Sequence, residues 1–318
     1  MRNILFSCLN QSFRTPGIVW LSSLEQLNKK INFLANTEVW IFHNPDFDKT
    51  GYERFPWVKW QEIPVINPVN HFLPPKEVQG MMMRIQAFDW LYAKGFQKVL
   101  YMDADTLVRE DFRDIYKTRL SERFPLAACQ DYVYTGDPLL GPLYERVSYE
   151  YAKRMVINRK YFNSGVIYID LPMAYSKLAL VGEVKMMDYF VQNAHRYLFP
   201  DQDLLNELYP TYIGLPRRFN AYSDIAIASY MTAAESLAAR YRISQSTVIH
   251  YLARSKPWRL STGLDAVKAQ APIELYWEAM QPVLGLLDKN FVDAVKENMR
   301  RYKHIIDHAR LTEDFLDE

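Results

Sequence analysis

The chain has 318 residues, 49% of them hydrophobic and 24% charged, a balance that suits a large buried core and excludes a disordered protein. A formal net charge of +1 excludes broad electrostatic attraction to nucleic acid or to an anionic membrane. Two cysteines, Cys8 and Cys129, give no disulfide framework, and no apolar run serves as a signal peptide or reaches the roughly 18 residues of a membrane helix, so a cytoplasmic protein is expected.

Ile4 to Leu9 reads as a first buried strand. Pro16 to Lys30 reads as a helix, with Ile18, Leu21, Leu24, Leu27 and Ile31 at helical spacing. Glu38 to Phe42 is a second strand, ending at His43-Asn44-Pro45, and Val58 to Ile63 a short third. Asn67 to Lys76 carries three prolines and two asparagines and reads as a loop, either a mobile lid or an ordinary surface connection. Val78 to Lys94 is a long helix closed by Gly95. Lys98 to Met102 is a strand that delivers Asp103-Ala104-Asp105. Leu126 to Cys129 is a strand, Leu139 to Val156 a helix, Val166 to Asp170 a strand, Leu204 to Leu208 a short helix and Thr247 to Leu252 a strand. Beyond Asp265 the chain is helical and amphipathic, with Phe291, Val295, Met299 and Tyr302 on one face. The basic run Arg300-Arg301-Tyr302-Lys303-His304 reads as a solvated helix face, leaving at most peripheral membrane contact. Strands alternating with helices predict an α/β domain with a largely parallel sheet covered on both faces, followed by a helical C-terminal extension.

The Asp-X-Asp step carries the first chemistry. In an extended chain Asp103 and Asp105 point to the same side, where two carboxylates repel unless a cation lies between them. That pattern suits a hard divalent ion, Mg²⁺ or Mn²⁺, and a metal at a strand's carboxyl end commonly holds a phosphate-bearing substrate. A lone Asp-X-Asp also occurs as a solvated turn or a helix cap.

Three further motifs follow in order. Tyr161-Phe162-Asn163-Ser164-Gly165-Val166 reads as a small polar turn before a strand, and Phe199-Pro200-Asp201-Gln202-Asp203-Leu204-Leu205-Asn206 as a polar cluster opening a helix. The last is His250-Tyr251-Leu252-Ala253-Arg254-Ser255-Lys256-Pro257-Trp258. Together with the Asp-X-Asp, from about Ile4 to Trp258, the chain resembles glycosyltransferase family 8, the retaining enzymes that include glycogenin and bacterial lipooligosaccharide α-galactosyltransferases.

The resemblance implies a GT-A fold over residues 1–262, a Rossmann-like mixed, mainly parallel sheet flanked by helices, with 263–318 a helical extension packed on it. It implies Mn²⁺ held by Asp103, Asp105 and His250, Mg²⁺ being the alternative ion. An imidazole beside two carboxylates favours Mn²⁺, since Mg²⁺ prefers an all-oxygen shell. Implied donor contacts are Asn10, Arg84, Asp103, Ala104, Asn163, Ser164 and Lys256. Asp201 would bind sugar hydroxyls, Gln202 would lie beside the anomeric carbon, and Asp131 would stand near the acceptor. Lys256 and the metal would balance the charge of a departing nucleoside diphosphate. Read without the resemblance, Arg84 is a surface helix arginine and Asp131 a loop aspartate. The chain departs from the family pattern at Ser7 to Phe13, which lacks the usual aspartate and tyrosine, at Ala253, where a glycine is usual, and at Arg254, an added charge.

The expected activity is retaining transfer of a hexose from UDP-galactose or UDP-glucose to a glycan acceptor, such as a lipopolysaccharide core or another surface polysaccharide. A glutamine is a poor nucleophile, so front-face attack is favoured over a covalent intermediate. Two alternatives remain open at this stage. One is a haloacid-dehalogenase-type phosphatase with Asp103 as phosphoryl acceptor; the other is a non-catalytic nucleotide-sugar-binding protein on the same fold.

Overall fold

The computed structural model describes residues 2–66, 75–131, 161–222, 243–252, 256–259 and 273–313. Its first half is a wound α/β unit: β1 (Asn3–Leu9), α1 (Arg14–Ile31), β2 (Thr37–His43), β3 (Val58–Glu62), α2 (Pro75–Ala93) and β4 (Lys98–Met102). β5 (Thr106–Val108) and β6 (Leu126–Gln130) follow, then β7 (Phe162–Asp170), α3 (Leu171–Ala179), α4 (Met186–Asn193) and α5 (Pro200–Leu208). The chain continues through β8 (Ile213–Gly214), β9 (Ala221–Tyr222), β10 (Val248–His250), α6 (Ile273–Met280) and α7 (Lys289–Glu313).

Seven strands form the main sheet in the order β3-β2-β1-β4-β7-β6-β8. β1 runs parallel to β2 and β4, and β2 to β3, while β7 is antiparallel to both its neighbours. The sheet is therefore mixed and mostly parallel. Side chains alternate between its faces, so neighbours in one strand enter different cores. Phe6 and Tyr101 pack with Phe42 and with Phe88 of α2 on one face. Leu5 and Leu100 pack with Ile18, Leu21 and Leu24 of α1 on the other. Each such side chain contributes about 1.5–3 kcal/mol relative to exposure, which is why both faces must be covered. α1 stops at Asn32, a left-handed residue (φ 47°), and α2 gives way to Gly95 (φ 81°), whose N–H closes onto the Tyr92 carbonyl at 2.9 Å.

Three differences from the sequence reading matter for function. First, Asp103 to Asp105 is a turn rather than an extended mouth: Thr106 N–H closes onto the Asp103 carbonyl at 3.1 Å. The chain then enters β5, which pairs antiparallel with β10 and sets His250 opposite Thr106. Second, Asn163, Ser164 and Gly165 lie within β7 rather than in a turn before it, beside a register shift in β6 between Ala128 and Gln130. Third, β5, β10 and β9 form a separate three-stranded sheet. The strand expected over Thr247 to Leu252 shrinks to Val248–His250, and Pro75 and Lys76 open α2 rather than close a loop. The loop expected over 67–74, the helix expected over 139–156, and Ala253 and Arg254 lie outside the described residues, as does the side chain of Tyr302.

The C-terminal helices close on α1 and the small sheet. Ile273, Tyr276 and Met280 of α6 pack with Val19, Leu107, Ile249 and Tyr251, joined by Phe291, Val295 and Met299 of α7. Ser22 of α1 donates to the Ala279 carbonyl at 2.8 Å. Among the described residues no helix is long and apolar enough to cross a membrane.

Candidate active site

Beyond the carboxyl ends of β1 and β4 lies a cavity of about 880 Å³. All twelve residues nominated above line it: Asn10, Arg84, Asp103, Ala104, Asp105, Asp131, Asn163, Ser164, Asp201, Gln202, His250 and Lys256. Topology explains the convergence. β4 delivers the Asp103–Asp105 turn, β7 begins beside it with Asp103 N–H on the Gly165 carbonyl at 2.8 Å, and β10 reaches it through β5.

One end of the cavity is suited to a cation. Ligand atoms of Asp103, Asp105 and His250 lie within 4.8 Å of one another. His250 Nε2 stands 3.2 Å from Asp105 Oδ1 and 3.6 Å from Asp103 Oδ2. Asp105 Oδ1 is buried without a hydrogen-bond partner, a costly state for a carboxylate oxygen and one that a divalent ion would relieve. Two carboxylates and an imidazole are a donor set that Mn²⁺ accepts. The Lys256 ammonium holds the other oxygen, Asp105 Oδ2, and lies 4.8 Å from the Phe13 ring centroid and 5.7 Å from that of Trp258. Burial opposes the charge on Asp105, but the Lys256 ammonium leads the influences that outweigh it and keep the carboxyl well below the usual carboxylate range.

Arg84 is not a surface residue; it is 5% exposed. Its Nη2 lies 2.5 Å from Asp103 Oδ1 and its Nη1 2.7 Å from Asp201 Oδ2, and Nη1 also donates to the Ser164 carbonyl at 2.7 Å. The guanidinium sits 4.1 Å over the Tyr101 ring, whose hydroxyl donates to Asp103. Burial works against its charge, yet Asp103 and Asp201 raise its pKa above the ordinary arginine value. Burial pushes the Asp201 carboxyl up even beside Arg84.

The opposite end is a network of amides and carboxylates. Gln202 Oε1 accepts the Ser164 backbone N–H at 2.9 Å, and its Nε2 donates to Asp131 Oδ2 at 2.9 Å. Asn163 Nδ2 donates to the same Asp131 oxygen at 3.3 Å. Asn10 lines the cavity, but its Oδ1 is committed to the turn after β1, accepting from Ser12 Oγ at 2.7 Å and Phe13 N–H at 3.2 Å.

Sequence reasoning missed the residues that aim these groups. Asp203 accepts the Phe199 N–H at 2.7 Å and the Tyr161 hydroxyl, fixing the entry of α5. Asn206 engages both the N–H and the carbonyl of Phe162 at 2.9 Å, tying α5 to β7. Their signal was present as the extra polar residues of the Asp201–Asn206 cluster beside the apolar pair Leu204 and Leu205. Tyr101 and Asn220 carried none.

Gly165 is a matter of close approach. A Cβ there would lie 2.1 Å from His250 Cε1. Gly165→Ala should therefore cost about 1–3 kcal/mol of stability and displace the imidazole, read as a lower midpoint in urea unfolding together with weaker Mn²⁺ binding. An unshifted midpoint would show that His250 can move aside freely.

The model of glycosyl transferase family 8 matches residues 4–262 of the chain. Lipopolysaccharide 1,2-glucosyltransferase of Escherichia coli (strain K12) is 27% identical over 233 residues, covering 72% of this chain and 62% of that protein. A second Escherichia coli protein of the same description is 26% identical over 178 residues, covering 55% and 48%. The chain thus spans less than two thirds of the length of either. Among solved structures, the apo WbbM bifunctional glycosyltransferase superposes with a TM-score of 0.59 at 20% identity, over 88% of this chain and 52% of that one. An active-site mutant of LgtC gives 0.56 at 17% identity, over 88% and 95%. The galactosyltransferase LgtC in complex with donor and acceptor sugar analogs gives 0.52 at 18% identity, over 86% and 95%.

Proposed function

The chain belongs to glycosyl transferase family 8 and is a glycosyltransferase of GT-A fold, and from that premise we propose that it transfers a hexose, with retention, from a UDP-sugar to a glycan acceptor in a divalent-metal-dependent reaction. One observation carries the reading: the Asp103, Asp105 and His250 cluster, with an unpartnered buried carboxylate oxygen, shares a cavity with the Arg84, Asp201, Gln202 and Asn163 network. The curated relatives' description favours glucose as the sugar and a lipopolysaccharide-type acceptor. Residues 1–262 would be the catalytic domain and 263–318 an extension packed on it, a placement supported by Ile273 and Tyr276 sharing a core with Val19. The free thiols Cys8 and Cys129 suit the cytoplasm. The phosphatase alternative is set aside by the family, and Asp103 is tied to Arg84 and Tyr101 rather than poised for attack.

Asp103, Asp105 and His250 would hold Mn²⁺, which supplies charge neutralisation of the departing diphosphate. Lys256 places an ammonium at the same end. Asp201 and Ser164 offer hydrogen bonds to sugar hydroxyls, Arg84 holding Asp201 in place. Gln202 is bonded at both ends of its amide, so its carbonyl is oriented rather than nucleophilic. This supports front-face attack: the acceptor oxygen bonds to the anomeric carbon on the face from which the phosphate oxygen leaves, and its proton passes to that oxygen.

The test is nucleotide release from UDP-, GDP- and ADP-hexoses, with Mn²⁺ and with chelator. Chelator-sensitive release from a UDP-hexose supports the reading, and metal-independent release or a non-uridine donor refutes it. Gln202→Ala should keep donor affinity within a few-fold yet lower kcat by about 10²-fold, measured by calorimetry and initial rates. Undiminished kcat would remove Gln202 from the reaction.

A further inference from the structure

We infer that Asn220 is a positioning residue that sets the ring tautomer of His250, and that the instruction originates in the backbone N–H of Gly165; this rests on the metal-site reading above. A backbone N–H can only donate. That of Gly165 reaches Asn163 Oδ1 at 2.8 Å, so the Asn163 atom at that point is the oxygen. The other end of the Asn163 amide agrees, since Nδ2 faces the Asp131 carboxylate, which accepts. The same Asn163 oxygen lies 2.8 Å from the Asn220 side chain, which must therefore present its NH₂ there. The carbonyl oxygen of Asn220 is left on the far side, 2.9 Å from His250 Nδ1. An acceptor at that distance calls for the ring hydrogen on Nδ1, and Asp105 Oδ1, an acceptor 3.2 Å from Nε2, is the group Asn220 must outcompete to leave Nε2 of the neutral ring bare.

The bare nitrogen is the one facing Asp105 Oδ1 and Asp103 Oδ2, at 3.2 and 3.6 Å. Free histidine in water favours the hydrogen on Nε2, the tautomer that cannot ligate from this position, so the relay reverses an intrinsic preference. Water does not compete: Asn220 is 2% exposed and His250 1%. Gly165 serves twice, as the donor that starts the relay and as the residue whose missing Cβ leaves room for the imidazole. Asn163 thereby belongs to two networks, one reaching Gln202 through Asp131 and one reaching the cation site through Asn220.

The experiment has two readouts on the full chain. Long-range ¹⁵N–¹H NMR of the metal-free protein, at a pH where the ring is neutral, reads the tautomer, with His250 assigned by the signals missing in His250→Gln. Mn²⁺ titration followed by EPR reads affinity, again with His250→Gln as the control for the site. Wild type should show Nδ1–H. Asn220→Leu, which offers no acceptor, should move toward Nε2–H and weaken Mn²⁺ binding by about 10- to 100-fold. Asn220→Asp keeps an acceptor for Nδ1–H and should keep the tautomer and lose less affinity than the leucine variant, although it cannot donate to Asn163. An Nε2–H wild type overturns the inference, a result that needs no variant to fold. So does a folded Asn220→Leu that binds Mn²⁺ as wild type while His250→Gln does not. If His250→Gln itself binds Mn²⁺ normally, the metal-site reading fails instead, which the metal-free tautomer signal distinguishes.

Discussion

Asp105→Asn is expected to leave the chain folded and to lower sugar transfer by about 10³-fold, with Mn²⁺ affinity falling in parallel. The substitution is nearly isosteric, so the turn after β4 keeps its shape. What changes is charge and hydrogen bonding at one point. Oδ1 of Asp105 is a buried acceptor with no donor, facing His250 Nε2 at 3.2 Å. An asparagine would turn its NH₂ toward that nitrogen and close the gap by a hydrogen bond, filling with protein the place a cation would take. The Lys256 ammonium would also lose the carboxylate it pairs with, though Phe13 and Trp258 still flank it. Two measurements together decide the matter: EPR-detected Mn²⁺ binding and initial transfer rates in saturating Mn²⁺. A variant with wild-type turnover would remove Asp105, and with it the three-residue site, from the mechanism. Weak binding with a rate rescued at high Mn²⁺ would restrict Asp105 to affinity.

The sequence disclosed the parts of this site more fully than the way they are held. Alternating apolar runs located β1, β2, β4, α1 and α2 to within a few residues, because long segments buried on a sheet carry a strong period. Asp103, Asp201 and His250 were readable because charged or metal-ligating groups inside apolar segments are conspicuous. β5, β8 and β9 have two or three residues each and no period to read; they exist because pairing partners far along the chain make them strands. Asn163 to Gly165 looked like a turn, since small polar residues have low strand propensity, yet the pairing of Phe162 with β6 and of Val166 with β4 on either side of them carries β7 through. Asn220 belonged to no motif, and only the convergence of Asn163 and His250 on its two amide atoms gives it a role. Arg84 was open to a surface reading on composition alone. Its neighbours Met82, Met83, Ile85, Ala87 and Phe88 are all buried, so α2 has little solvated face in that turn, and a charge there must find partners within the protein.

Those partners make Arg84→Met the severest test of how the site is built, with an expected loss of about 3–5 kcal/mol of stability at neutral pH. Methionine replaces the length and apolar stem of arginine, so packing against α2's neighbours is largely kept. The fork that joins Asp103 to Asp201 disappears, and the Ser164 carbonyl loses a donor. Asp201, 4% exposed, is left as a buried carboxylate without its cation. Its pKa is already raised in the wild type by burial, with Arg84 the main counterweight, so removing Arg84 must raise it further. A carboxyl whose folded pKa lies above its unfolded value destabilises the fold when both states are ionised, and the cost vanishes once both are protonated. The wild-type-to-variant gap should therefore be widest at pH 7–8 and narrow as pH falls through the raised folded value toward the unfolded one, about 3.9. Urea unfolding in chelator across this range measures it, chelator preventing a cation from substituting for the guanidinium at Asp103. A gap below about 1 kcal/mol, or one that does not change with pH, would mean that Arg84 is not the counter-ion holding the carboxylates of the cavity. Arg84→Lys should fall between, because a single ammonium cannot bridge two carboxylates with the spread of a guanidinium fork.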